Sequence, residues 1–157
     1  MKESGVPLIT ISFTSKRYND RKIEMNRVCK GQRLKVYRSL KTKNRNLDSI
    51  VIYVKTEDKC VLLSGDQRYD KLHDYIILDD FPKVPLIFVM PHHGGYAGHF
   101  KKSDWDKILP IESIVISYHD SNNYGHPFET NVRTAERLVS PNNVFRTNGS
   151  GDKYYLI

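Results

Sequence analysis

"VPLIFVMPHHGG", Val84 to Gly95, is an apolar run that reaches a proline and then opens into paired histidines and paired glycines. Seven consecutive apolar or proline positions bounded by a breaker read as a buried strand, and His92 to Gly95 read as a glycine loop at its C-terminal end. Adjacent histidines leave such an end in different directions, and Gly94 and Gly95 allow a substrate to approach the backbone closely. One imidazole can then orient or protonate a leaving group while the other anchors the loop.

Working outward, the chain alternates strands and helices. Upstream, "PLITISF" alternates apolar and polar residues like a half-buried strand. "GQRLKVYRSL" and the β-branched "DSIVIYVKT" come next as further strands, and "KCVLLSGD" as a short one stopped at Gly-Asp. The segment "RYDKLHDYIILDDF" has loose helical spacing and ends at Pro82. Downstream, "KKSDWDKIL" predicts a short helix before Pro110, and "ESIVISYHD" a buried strand. After the polar loop "SNNYGHP", "ETNVRTAERLVS" predicts a helix with Val132, Ala135, Leu138 and Val139 on one face. "NVFRTNGSGDKYYLI" predicts a hairpin with a glycine-rich turn. This order supports a layered α/β domain, a mixed sheet with flanking helices.

The 157 residues suffice for one domain with a core, here residues 1–157 as a single unit with a basic segment at 1–45 and a core at 46–157. A mean hydropathy of -0.54 and the lack of any apolar run of about 18 residues argue against a membrane span. With no signal-peptide pattern in "MKESGVPLITISF", a cytoplasmic location is expected. Cys29 and Cys60 lack the spacing of a disulfide framework or a zinc knuckle. The net charge of +7, concentrated between Lys16 and Lys43, permits a nucleic-acid or phosphate-bearing partner, although an ordinary solvated face has the same composition.

Chemistry gathers at three strand ends, at Asp66, at His92 and His93, and at His126. In a parallel or mixed sheet such ends meet at one edge. Imidazole and carboxylate together suit zinc, manganese or iron, and a carboxylate can bridge two cations that activate a water. In "NNYGHP", Gly125 permits a tight turn and Pro127 fixes the exit, which holds His126 in place. His73, His99 and His119 occupy less distinctive settings.

As a set, "NLDSIVIYVKTEDKCVLLSGD", "PLIFVMPHHGG", "SIVISYHDSNNYGHP" and "VFRTNGSGDKYYLI" resemble the C-terminal half of a metallo-β-lactamase fold hydrolase of the ComEC-like competence-protein group. The resemblance spans Asn46 to Ile157. It implies an αββα layered fold of which this chain supplies the second half. It implies that Asp66 bridges two divalent metals, zinc or manganese, and that His126 is the late metal ligand. It assigns His92 and His93 to catalysis at a scissile phosphate, with direct ligation by one of them as the alternative. Gly94, Asn123 and Gly125 are expected to position substrate or loop, and Thr147 and Gly149 to serve structure.

The departure from that family is equally specific. Its early H-x-H-x-D-H ligand motif has no counterpart, because no histidine precedes His73. A fragment, a half that pairs with a chain or segment carrying the early motif, and a degenerate binding module all remain open. The resemblance implies a metal-dependent hydrolase, a phosphodiesterase or nuclease, incomplete without the early half. The alternative is a non-catalytic module that binds nucleic acid or protein. An isolated half is also expected to expose one apolar sheet face.

Overall fold

The computed structural model describes residues 22–23, 33–38, 49–78, 84–106 and 110–151. The expected strand at Pro7 to Phe13, most of the basic stretch Lys16 to Lys43, Cys29, Pro82 and the last arm of the terminal hairpin lie outside them. The described chain forms a mixed sheet whose seven strands run in sequence order: β1 Lys22–Ile23, β2 Arg33–Arg38, β3 Ile50–Lys55, β4 Cys60–Leu63, β5 Leu86–Val89, β6 Ile111–Ile116 and β7 Val144–Arg146. The pairs from β1 to β4 are antiparallel, and those from β4 to β7 are parallel. The α/β expectation holds at this level: a mixed sheet with helices.

Parallel neighbours need crossovers, and these contain helices α1 Tyr69–Leu78, α2 Lys102–Trp105 and α3 Glu129–Leu138. Because the strands advance in one direction, right-handed crossovers deliver all three helices to the same face. Val51, Tyr53, Cys60, Leu62, Leu86, Phe88, Ile114 and Ile116 point to that face. They join Tyr69, Leu72, Trp105, Val132 and Ala135 in one core. Aromatic stacking ties its layers, with Tyr69 on Phe100 at 4.4 Å and Phe88 on Trp105 at 4.8 Å between ring centroids.

Strand alternation sends the intervening residues to the other face. Across it the register runs Val36, Ile52, Leu63, Val89, Val115, Phe145. Val36, Ile87 and Val115 are buried there, whereas Ile52, Val54, Val61 and Val89 are half-buried. Ile50 and Leu63 are the most open, at 39% and 40%. β5 is apolar on both faces, with Leu86 and Phe88 buried on one and Ile87 buried and Val89 half-buried on the other.

The end of the chain differs from expectation. After β7, Thr147–Ser150 form a helical turn, α4, in place of a glycine-rich β-turn. Its first residue is fixed from across the sheet edge: the Tyr118 N–H donates to Thr147 Oγ1 at 3.1 Å, and that hydroxyl donates to the Tyr118 carbonyl at 3.2 Å. The structural role expected of Thr147 is this clamp. Among the described residues no helix is long and apolar enough to cross a membrane.

Candidate functional site at the strand ends

The parallel register sets the site. Leu63, Val89 and Val115 lie in one row, so Asp66 and His92 each stand three residues beyond it at the C-terminal edge. The loop after β6 returns His126 to the same edge, where its ring lies 4.7 Å from that of His92 between centroids. His92 Nδ1 is 3.6 Å from Asp66 Oδ2. Three of the residues expected at the site, Asp66, His92 and His126, therefore meet.

Each is held by backbone geometry. Gly65 turns the chain out of β4 at φ +53, and a Cβ there would stand 2.9 Å from the Ile50 carbonyl oxygen. The Asp66 N–H donates to Ser49 Oγ at 3.1 Å, and the His92 N–H donates to the Gly65 carbonyl at 3.0 Å, which joins the two strand ends. Residues Pro91–Gly94 form a tight turn in which His92 and His93 both take left-handed backbone angles, φ 52 and 55. Such angles are uncommon in residues with a Cβ, and clusters of them mark functional sites.

Gly94 and Gly95 do something other than admit a substrate. A Cβ on Gly94 would meet Pro127 Cβ at 2.8 Å and Ile116 Cγ2 at 2.9 Å, and one on Gly95 would run into the His126 ring. The chain itself occupies the space that the glycines leave, so Gly94 positions the loop. Their carbonyls are gripped by Asn131, a buried residue of α3, whose Nδ2 donates to Gly94 O at 3.0 Å and Gly95 O at 2.8 Å. The Phe128 N–H adds a bond to Gly94 O at 3.1 Å.

The His126 loop is shaped by Asn122. Its Oδ1 accepts from the N–H groups of His126 at 3.0 Å and Tyr124 at 3.2 Å, and its Nδ2 donates to the carbonyls of His126 and His119, each at 2.7 Å. Asn123, the neighbour expected in this role, is exposed, and Gly125 supplies the turn at φ +67. Asn122 and Asn131 are positioning residues that sequence pattern alone does not reveal. His99 and His119 are exposed, His119 bonding to Ser121 in its own turn, and His73 lies half-buried on α1. Cys60 is buried under the sheet, with its thiol on the Pro85 carbonyl.

Burial pulls the proton affinity of His126 below the usual imidazole range. The nearby His92 and His93 rings act in the same direction, against the attraction of Asp66. Its Nδ1 is buried without a hydrogen-bond partner among the described residues. His93 Nδ1 lies 2.6 Å from the Ser117 carbonyl. A carbonyl only accepts, so in the neutral ring the proton sits on Nδ1 and Nε2 keeps its lone pair at the exposed side.

This donor set suits a borderline divalent cation. The 3.6 Å between His92 Nδ1 and Asp66 Oδ2 is too long for a hydrogen bond. It is close to the roughly 3.3–3.6 Å that separates two ligand atoms on one tetrahedral zinc. The orphaned Nδ1 of His126 is a second feature of the same kind. Among the described residues, however, no group of three or more His, Cys, Asp or Glu side chains closes on one ion position. The fit is that of part of a ligand shell. Comparison with protein-family models, with curated proteins and with solved structures found no match.

Proposed function

We propose that this chain carries the late half of a divalent-metal site in a hydrolase of the metallo-β-lactamase type, acting on phosphodiester bonds in nucleic acid or nucleotide. The observation that carries the reading is the meeting of Asp66, His92 and His126 at the C-terminal edge of β4, β5 and β6, with His92 and His93 held at positive φ. Asp66 and His126 are the side chains that would hold metal, with His92 at ligand spacing from Asp66. When bound, zinc or manganese supplies Lewis-acid stabilisation of the charge that develops on phosphoryl oxygens.

The remaining steps belong to side chains. With Nδ1–H held on the Ser117 carbonyl, His93 in its imidazolium form would give the Nε2 proton to a departing oxygen and be left as the neutral ring with its lone pair on Nε2. Asn131 keeps the Gly94 and Gly95 carbonyls fixed, so that this imidazole does not drift from the metal-binding edge. The basic composition favours an anionic substrate. The early ligands are expected from a separate segment or chain.

The test is metal uptake by the purified full chain, followed by hydrolysis. Titration with Mn2+ or Zn2+ should show binding that weakens at least about tenfold in Asp66→Ala and in His126→Ala but not in His99→Ala, the loss of one ligand being worth more than about 1.4 kcal/mol. With a polypeptide bearing the H-x-H-x-D-H motif added, cleavage of bis-p-nitrophenyl phosphate should appear, and Asp66→Ala should abolish it. Equal metal uptake by the wild type and all three variants would remove the metal reading and favour the binding module.

A further inference from the structure

The exposed large apolar side chains of the described residues are Ile50, Leu63, Tyr96, Tyr124 and Phe128; Tyr124 and Phe128 meet the His126 ring, and Tyr96 meets Phe128. Tyr124 stacks on His126 at 5.9 Å between centroids with the planes 20° apart. Phe128 meets the same ring edge-on at 5.9 Å, and Tyr96 lies 6.4 Å from Phe128. Scattered exposed aromatics need no explanation, but a contiguous set on two adjoining loops at the rim of a titratable cluster does. Tyr96 and Tyr124 are 64% and 79% exposed and sit on polar, glycine-containing loops.

We infer that Tyr96, Tyr124 and Phe128 form a stacking platform for unpaired nucleobases, so that the chain takes single-stranded nucleic acid with a base on the rings and the neighbouring phosphate toward Asp66, His92 and His93. The inference rests on the phosphodiester reading for the identity of the ligand. Flat rings offer every base a π-face, whatever its sequence, and a base must be unstacked from a duplex to use them. The rings are within two ring spacings of His126, which places base and phosphate of one nucleotide unit on the platform and at the site together. Charge agrees with this occupant over an apolar peptide. The chain carries a net +7, and Arg68, oriented by Asp70 at 2.8 Å, stands beside Tyr96. Tyrosine hydroxyls at the rim also keep the platform compatible with water when it is empty.

The experiment is fluorescence-anisotropy binding of the full chain, at fixed salt, to a labelled short oligothymidylate, to an abasic strand with the same phosphates, and to the duplex of the same length. The oligothymidylate should bind about tenfold more tightly than the abasic strand, in line with stacking on one or two rings. Tyr96→Ala and Tyr124→Ala should each remove several-fold of that difference and leave abasic binding unchanged. Tyr96→Phe and Tyr124→Phe, which keep the rings, should bind like the wild type. Equal affinity for the oligothymidylate and the abasic strand, or tighter binding to the duplex, would overturn the platform. Insensitivity to both alanine substitutions would also overturn it and leave the rings to a protein partner. Hydrolysis is scored separately. A chain that discriminates bases without cleaving phosphodiesters keeps the platform and loses the hydrolase, whereas cleavage with no base discrimination does the reverse.

Discussion

The two histidine loops reach the same edge by different means. The turn at Pro91–Gly94 is held from far along the chain: Asn131 bonds its glycine carbonyls from 36 and 37 positions away, and Gly65 accepts the His92 N–H. The loop from His119 to His126 is held from within, by Asn122 reaching three and four positions to either end. The first loop is as ordered as the packing of α3 against the sheet, and the second rests mainly on its own turn, with the Asp120 N–H donating to Asn148 Oδ1 at 3.2 Å as a tie to α4. Damage to the first should therefore spread through the core, and damage to the second should stay local.

The strongest way to break this comparison is Asn131→Ala. It leaves two buried carbonyls without their side-chain donor, at a cost of about 2–4 kcal/mol in urea unfolding. A loss below about 1 kcal/mol would mean that the turn does not depend on α3. Next comes Gly95→Ala, where the new methyl group meets the His126 ring and must displace it. About 2 kcal/mol of stability should go, together with metal uptake at the level of His126→Ala, because here the two loops share one volume. The smallest effect is expected for Asn122→Ala, about 1 kcal/mol, with faster amide hydrogen exchange confined to 119–126 and unchanged protection at 91–95. If Asn122→Ala costs as much as Asn131→Ala, the distinction between a distant and a local clamp fails.

Much of the fold was legible because it rests on local signals. β3, β4 and β5 fall inside the apolar runs read as strands, β6 starts one residue before its run, and α3 begins at Glu129 with Val132, Ala135 and Val139 buried on the predicted face. The strand-end residues were legible for a related reason. Gly-Asp, His-His-Gly-Gly and Gly-His-Pro each mark where a strand or turn must change direction. What holds them was not. Asn131 reads as one more polar position on an amphipathic helix, and only the folded chain shows that the Gly94 and Gly95 carbonyls face it. Asn122 and Asn123 are chemically identical neighbours, and the turn decides between them. Glycines that suggested room for a substrate turn out to make room for Pro127, Ile116 and His126. Tyr96, Tyr124 and Phe128 lie in polar loops with no periodicity, so nothing in the pattern joined them.

The left-handed pair His92 and His93 has a consequence for encounter with a ligand. Each residue is held in a conformation that costs an ordinary side chain roughly 1–2 kcal/mol and that glycine adopts freely. Folding has thus already selected the direction in which both Cα–Cβ bonds leave the turn, before anything arrives at the edge. Binding would then find little backbone freedom left to remove at this turn, and that part of the ordering cost that opposes association is diminished. The backbone ordering is completed during folding, so the turn would meet any ligand as a fixed backbone template.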